Sequence, residues 1–150
     1  MEKKNMEQIA QQLNGRWKQD HSQNENYDLF LRDLGVPWFF RKLVTLFKIS
    51  PVEEYIFTGD QITYRQYANR NRPFEMTLTV GQPPVTITPA SGISFQAQIS
   101  WDEYGRLVTR TRRANGEAVQ TGRIDSKGDL ELTTLLPTGK TCRRVLNKVQ

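Results

Sequence analysis

The clearest signal along the chain is a change in the spacing of its apolar residues near residue 50. Before that point apolar side chains recur every three or four positions, first at Tyr27, Phe30, Leu31 and Leu34 and then in a second group that begins at Phe39. This spacing is typical of helices, and a glycine–valine–proline sequence between the two groups indicates a break. We therefore predict a pair of short helices.

Beyond residue 50 apolar and polar positions alternate, as they do in strands with one buried face. Alternating segments are Tyr55–Phe57, Gln61–Tyr64, Phe74–Val80, Ile93–Ser100, Arg106–Arg113, Glu117–Ile124, Asp129–Leu135 and Thr141–Val149. Turn sequences rich in glycine, proline and asparagine separate most of them. The pattern predicts an all-β domain, an antiparallel up-and-down β-barrel of about ten strands. The helix pair would cap one mouth as a helix-turn-helix, and closure would remove the exposed strand edges.

A short strand signal precedes the helix pair, where Gly15 and Trp17 lie two positions apart. In a strand both point to the same face, so that a backbone can pass close over the broad indole ring. This arrangement predicts a plug at the bottom of the barrel. Upstream, Met6, Ile9 and Leu13 are at helical spacing. We expect residues 1–12 to form an N-terminal extension, helical or frayed, and residues 13–150 to form the barrel.

Length and composition narrow the class of protein. A chain of 150 residues suits one domain with its own core. No apolar run approaches the roughly 20 residues of a membrane helix, and the N-terminus has no apolar signal core. Cys142 is the only cysteine, so no internal disulfide forms. These features predict a soluble protein of the cytoplasm.

Three stretches of the first third resemble the opening of the intracellular lipid-binding proteins, the fatty-acid-binding and retinoid-binding group within the calycin superfamily. They are Leu13–Lys18 (LNGRWK), Glu25–Val36 (ENYDLFLRDLGV) and the pair Arg41-Lys42. The resemblance continues more weakly to the last strand. It implies a monomeric carrier, without enzymatic activity or cofactor, whose barrel encloses a long-chain fatty acid or a similar hydrophobic ligand with an acidic head group.

The last strand holds the first candidate for ligand binding. Alternation places Cys142, Arg144 and Leu146 on one face and Arg143 on the other. An inward guanidinium needs an anionic partner, which the carboxylate of a ligand could supply. The resemblance implicates the same residue, because the last strand of the family usually contains Cys-x-Arg-x-Tyr. Here the arginine is Arg144, and Leu146 stands where the tyrosine would be.

The resemblance also implies the remaining contacts of the ligand. Arg123 would be a second interior arginine, which would strengthen the preference for an anion. Contacts with the ligand tail would come from Tyr27, Leu31, Val36 and Leu132. The alternatives are an arginine that pairs with an internal acid through ordered water or that a slip of the strand register turns to solvent, and apolar residues that simply pack in the core. Anchored on Leu107-Val108, Arg110 and Arg112 match outward positions of the family and Thr109 and Thr111 point inward. Anchored on the Asn115-Gly116 turn, the two arginines face in, and we favour the outward register.

The chain carries a formal net charge of +5, which favours anionic partners without choosing among them. Three aromatic residues, Trp38, Phe39 and Phe40, lie beside Arg41 and Lys42. Together they could form an apolar and cationic lid that makes transient contact with anionic membranes. The alternative is that the aromatic rings pack down on the barrel.

The sequence is also compatible with three other functions. Gly-x-Trp also occurs in secreted lipocalins, so a carrier of a retinoid, bile acid or tetrapyrrole in the same barrel is the first alternative. The second is a basic barrel that binds single-stranded nucleic acid through Arg110, Arg112 and Arg113, although we expect no nucleic-acid partner. The third is a lipid isomerase that uses Cys142.

Catalytic chemistry has little support in the sequence. His21, the only histidine, lies in a polar loop without a nucleophile pattern, and Cys142 has no identifiable base. The adjacent carboxylates Glu53 and Glu54 are expected to be solvated at the surface. No cysteine or histidine spacing indicates a metal site. We therefore predict neither an enzyme nor a cofactor.

Overall fold

The computed structural model describes residues 3–68 and 72–149. Two residues of the predicted extension, and residues 69–71 and 150 of the predicted barrel, therefore lie outside the described residues. The helical elements are α1 (Lys3–Leu13), a single 3-10 turn (His21–Gln23), α2 (Tyr27–Asp33) and α3 (Trp38–Phe47). The strands are β1 (Gly15–Gln19), β2 (Val52–Thr58), β3 (Gln61–Tyr67), β4 (Phe74–Thr79), β5 (Val85–Ile87), β6 (Phe95–Trp101), β7 (Leu107–Arg113), β8 (Gly116–Ile124), β9 (Leu130–Leu135) and β10 (Thr141–Lys148).

All ten strands form one antiparallel sheet in the order β4-β3-β2-β1-β10-β9-β8-β7-β6-β5. The sheet curls into a nearly closed barrel, which confirms the predicted fold class. Within the described residues no ladder joins β4 to β5, so the expectation that closure removes every edge is wrong. Pro83 and Pro84, which have no N–H to donate, precede the short β5. At this seam Phe74 of β4 packs against Phe95 of β6, with ring centres 6.4 Å apart.

The predicted helix pair is confirmed as α2 and α3. At the end of α2 Gly35 adopts a φ of +84°, a conformation that glycine accepts without strain. The N–H of Val36 then donates to the carbonyl of Leu31 at 3.0 Å. Before α2, the side-chain amide of Asn26 donates to the carbonyl of Thr141 at 2.8 Å. This bond ties the start of the helix pair to the beginning of β10.

Trp17 forms the core of the barrel end where β1 begins, with no exposed surface. Its Nε1 donates to the carbonyl of Leu13 at 2.9 Å. Gly15 has a φ of +128°, and a Cβ built there would lie 3.0 Å from Cε of Lys148. The Lys148 ammonium lies 5.1 Å from the centre of the Trp17 ring and donates to the carbonyl of Asn14 at 2.8 Å. The Lys148 side chain, rather than a passing backbone, therefore uses the space beside Gly15.

Helix α1 packs on the barrel end that contains Trp17. It precedes β1 and the helix pair follows β1, so α1 and the helix pair lie at opposite ends of the barrel. Leu13 is 1% exposed, and the half-buried Ile9 packs against the core. The buried core cluster contains Leu13, Trp17, Tyr55, Ile62, Leu78, Phe95, Ala97, Ile99, Leu107, Leu130, Leu132 and Leu146. In the part of the chain that the structure describes, no helix is long and apolar enough to span a membrane.

Candidate ligand-binding cavity

A cavity of about 270 Å³ lies between the helix pair and the inner face of the barrel. Its volume is near the lower end of the range for small-molecule sites, about 300–1,000 Å³. Most of its wall is apolar, with Ile62, Phe74, Met76, Leu78, Phe95 and Ile99 among the lining residues. A smaller polar group lines the same cavity and includes Glu53, Tyr55, Tyr64, Gln120, Thr134 and Arg144. An apolar wall with a few convergent polar groups is the usual composition of a ligand site.

Arg144 is at the centre of the polar group, with only 5% of its surface exposed. Its Nη1 donates to Oε2 of Glu53 at 3.1 Å and to Oε1 of Gln19 at 3.4 Å. Its Nη2 donates to Oε1 of Gln120 at 3.3 Å. The guanidinium carbon lies 4.7 Å from the centre of the Phe30 ring in α2. Arg144 therefore connects β1, β2, β8 and the helix pair across the cavity.

Glu53 neutralises this buried cation. Its Oε1 accepts a hydrogen bond from the hydroxyl of Tyr64 at 2.7 Å, and its Oε2 pairs with Arg144. Burial lowers the pKa of the Arg144 guanidinium, but the Glu53 carboxylate and the hydroxyls of Tyr64, Tyr55 and Tyr27 together more than offset this, so the pKa lies above its ordinary value. Burial and the same carboxylate raise the pKa of Tyr64. The cluster thus consists of one ion pair and neutral hydrogen-bonding groups.

The expectation that Glu53 and Glu54 are both solvated is wrong for Glu53, which is 3% exposed. Adjacent residues of a strand point to opposite faces, and β2 turns Glu53 inward. Glu54 faces outward, where it pairs with Arg16 at 3.0 Å and with Arg65 at 3.4 Å. The alternative weighed from the sequence, an arginine paired with an internal acid, is what the structure shows for Arg144.

Arg113 is a second arginine of the cavity wall, which the sequence analysis placed only in a surface cluster. Its guanidinium lies 4.5 Å from the centre of the Phe95 ring, and its Nη1 donates to Oγ1 of Thr111 at 3.2 Å. Burial lowers the pKa of Arg113, and the Asp33 carboxylate of α2 opposes this shift. The cavity therefore has one cation within its central polar group and another beside the end of α2.

The other two arginines of that cluster face outward, as expected. Arg110 pairs with Glu117 at 3.1 Å and Arg112 lies 3.8 Å from the same carboxylate. Thr109 and Thr111 line the cavity on the opposite face of β7. The alternation along β7 thus explains both the two outward arginines and the inward Arg113.

Arg123 does not reach the cavity, so the expectation of a second interior arginine at this position is wrong. Its Nε lies 2.9 Å from Oε1 of Glu131 on the outer surface, and half of the side chain is exposed. The register of β8 is the reason, because Ala118 and Gln120 face the cavity and residues at odd positions point outward. Gln120 is the inward side chain of β8 that contacts Arg144.

The predicted apolar contacts divide into two groups. Tyr27 and Leu31 of α2 line the cavity. Val36 is half-buried in the turn after α2 and is not among the lining residues. Leu132 and Leu146 also lie outside the lining and are buried in the core, 2% and 0% exposed. These three residues thus do not occupy the places expected from the resemblance.

Cys142 is fully buried on β10. Burial raises the pKa of its thiol to about 11, although the positive charge of Arg144 opposes the shift. At neutral pH the group is therefore a neutral thiol, which is a poor nucleophile. Within the described residues no cluster of three or more histidine, cysteine or acidic side chains could hold a metal ion.

Proteins with a similar sequence and similar folds are known. No family model matches the chain. Cellular retinoic acid-binding protein 2 of Rattus norvegicus is 25% identical over 136 residues, which cover 89% of this chain and 95% of that protein.

Solved structures match the fold over nearly the whole chain. The apo lipid binding protein 8 of Caenorhabditis elegans superposes with a TM-score of 0.73 at 22% identity, covering 93% of this chain and 96% of that one. The fatty acid binding protein of Schistosoma mansoni in complex with arachidonic acid has a TM-score of 0.75 at 16% identity, with coverages of 95% and 99%. Fatty-acid-binding protein 1 of Echinococcus granulosus has a TM-score of 0.74 at 17% identity, with coverages of 93% and 99%.

The ten-stranded barrel with its helical cap and interior cavity has the fold of the lipid-binding and fatty-acid-binding proteins in these solved structures. The resemblance of the chain to the intracellular lipid-binding protein family is confirmed, in sequence by the retinoic acid-binding relative and in fold by the solved structures.

Proposed function

We propose that this chain is a non-enzymatic carrier in the cytoplasm that takes up one molecule of a long apolar ligand inside the barrel. The observation that carries the proposal is the interior cavity, which combines an apolar wall with one buried polar cluster around Arg144. The names of the similar proteins, which refer to fatty acids, lipids and retinoic acid, support a ligand of this general shape.

The polar end of the ligand would lie at the Arg144 cluster and the tail along Leu78 and Ile99. Each buried methylene contributes about 0.8 kcal/mol before the costs of association, so the tail supplies most of the affinity. The cluster then orients the ligand. Fatty acids and retinoids indicate the length and apolar shape expected of the ligand, because the similar proteins are named for them.

The proposal is tested by native mass spectrometry of the purified protein and by titration with a fluorescent fatty acid. We expect saturation near one equivalent. Arg144→Met should weaken binding about fivefold or more, because the head group loses its hydrogen-bond donors. Arg143→Met is the matched control, since the neighbouring Arg143 pairs with Glu131 at 2.8 Å on the outer face.

Circular dichroism would show that each variant is folded, and the double variant Glu53→Gln/Arg144→Met removes both charges of the buried pair together. A protein that binds no fatty acid, retinoid or other lipid would contradict the carrier function. Binding that ignores every change at residue 144 would keep the cavity but place the head group elsewhere.

The first turn of α3 favours a transient membrane contact as part of the same function. Trp38, Phe39 and Phe40 are 63%, 60% and 56% exposed, so they do not pack down on the barrel. The Lys42 ammonium lies 5.8 Å from the centre of the Trp38 ring. Exposed aromatic rings beside cations suit the interface of an anionic bilayer, where rings insert and lysine meets lipid phosphates.

Co-sedimentation with vesicles tests this contact. Wild-type protein should bind vesicles containing phosphatidylserine more than vesicles of phosphatidylcholine alone, and added salt should weaken the difference. Phe39→Ser should reduce binding, whereas Tyr104→Ser should not. Tyr104 is 72% exposed but lies near Ile9 of α1, at the other end of the barrel. Equal binding by both variants would contradict a role for α3.

A further inference from the structure

The described lining of the cavity carries as many negative as positive side chains. Arg113 and Arg144 are the cations, and Asp33 and Glu53 are the carboxylates. Asp33 also accepts a hydrogen bond from Asn115 at 2.7 Å, which fixes it beside the end of α2. The cavity is therefore electrically balanced before any ligand enters. An anionic ligand would leave it with an excess negative charge, which is unfavourable in a poorly solvated interior.

The opposite charges are in direct contact at Arg144, where the polar end of the ligand would lie. Glu53 already occupies one edge of the guanidinium, at 3.1 Å, and is itself 3% exposed. Its second oxygen holds the hydroxyl of Tyr64 at 2.7 Å, so moving Glu53 away would leave a buried donor without a partner. A ligand carboxylate at Arg144 would lie close to the negatively charged Glu53, and Arg144 could not neutralise both carboxylates.

The same cluster has unused hydrogen-bonding capacity. Three of its buried polar atoms have no hydrogen-bond partner among the described residues: Nε of Arg144, Nε2 of Gln19 and Oγ1 of Thr134. Arg144 and Thr134 line the cavity directly. Two of the three atoms are N–H donors, which need an acceptor oxygen, and the hydroxyl of Thr134 can donate or accept. An uncharged hydroxyl or carbonyl oxygen supplies the acceptor without adding charge.

From this combination we infer that the ligand is a long-chain lipid with an uncharged oxygen-bearing head group, such as an alcohol or an amide, rather than a free carboxylate. The inference rests on the proposed carrier function and narrows its ligand class. The sequence predicted an acidic head group from the family resemblance and from two expected interior arginines, Arg144 and Arg123. Glu53 changes that expectation, because it already neutralises the positive charge of Arg144 that a fatty-acid carboxylate would otherwise pair with.

The test compares lauric acid, dodecanol and lauramide, which share the length of their tail, by titration calorimetry at neutral pH. Wild-type protein should bind dodecanol and lauramide about tenfold or more tightly than laurate. Glu53→Gln leaves Arg144 without its carboxylate, so the ratio of laurate to lauramide affinity should rise about tenfold or more, a change of about 1.4 kcal/mol per factor of ten. Glu54→Gln is the matched control, since Glu54 lies on the outer face, and it should leave the ratio unchanged.

Wild-type protein that binds laurate more tightly than lauramide would overturn the inference while leaving the carrier function intact. That ranking needs no variant, so it decides the question even if Glu53→Gln does not fold. A Glu53→Gln variant that folds and keeps the wild-type ratio would also overturn the inference, because Glu53 would then not set the preference. Wild-type protein that binds none of the three compounds, and no other lipid, would instead remove the carrier function itself.

Discussion

Trp17 and Trp38 show how far the environment of one residue type can differ within this chain. Trp17 is fully buried and donates to the carbonyl of Leu13, whereas Trp38 is 63% exposed. Trp17→Phe removes the donor and some of the packing, and we expect the free energy of unfolding to fall by about 1–3 kcal/mol. Urea unfolding measures this change.

Trp38→Phe provides the comparison, because it removes the same indole from the surface. Its effect should stay within about 0.5 kcal/mol. Equal losses of stability in the two variants would show that Trp17 is not the centre of the packed barrel end.

The two arginines of β10 give a second contrast between neighbouring residues. Arg144→Met leaves Glu53 buried without a cation, so we expect a loss of about 3–5 kcal/mol in the free energy of unfolding. Arg143→Met breaks a partly exposed pair with Glu131 and should cost at most about 1 kcal/mol. Adding Glu53→Gln to Arg144→Met should recover much of the loss, as chemical unfolding of the double variant would show. No recovery would mean that Arg144 stabilises the fold through packing rather than charge.

The sequence located Arg144 but not its partner, and the reason lies in the strand alternation. Tyr55 is an evident core residue, and Glu53 shares its face of β2, so the period of two already places Glu53 inside. Two adjacent glutamates, however, are typical of an exposed surface, and this led to the incorrect expectation that Glu53 is solvated. Arg113 was missed in the same way, since Thr109 and Thr111 were expected to face inward on its strand.

At the scale of secondary structure, α1 is the element that the family resemblance covers least, because the resemblance begins only at its last residue, Leu13. Its contact with the core depends on Leu13, which is 1% exposed, while Gln12 lies on the exposed face. Leu13→Ala should lower the free energy of unfolding by about 2–5 kcal/mol, because it leaves a cavity in the packed barrel end. Gln12→Ala should have little effect, since alanine favours a helix and the side chain is exposed.

Thermal unfolding of the two α1 variants gives the measurement. Similar midpoints for Leu13→Ala and wild type would indicate that α1 is dispensable for the barrel.

Helices and strands could be predicted where apolar residues recur at a regular spacing or where glycine and proline clearly interrupt that spacing. The helix pair was found because Gly35 and Pro37 interrupt the helical spacing. Strand β5 was not found, since three residues after two prolines are too few to show alternation. The segment thought to begin at Ile93 begins as a strand only at Phe95, and Ile93 is 75% exposed. Its N–H belongs to the preceding turn, where it donates to Oγ of Ser91 at 3.4 Å.

For the whole molecule, the seam between β4 and β5 predicts uneven protection of the backbone. Among the described residues, each of these strands has a hydrogen-bonded neighbour on one side only, whereas β9 lies between β8 and β10. Amide hydrogen exchange followed by mass spectrometry should therefore show exchange about tenfold or more faster in β4 and β5 than in β9. Peptides from β9 serve as the internal reference. Equal protection in these strands would mean that the seam closes in solution.

The same seam also affects how copies of the protein can associate with one another. A free strand edge offers N–H and C=O groups on which the edge of another molecule could align, and so begin an intermolecular sheet. On one side that edge is only Val85–Ile87, and the two preceding prolines shorten the stretch that could pair. On the other side β4 carries the charged side chain of Glu75, held by Arg65 at 2.9 Å. An incompletely closed barrel is therefore compatible with a protein that stays dispersed at high concentration.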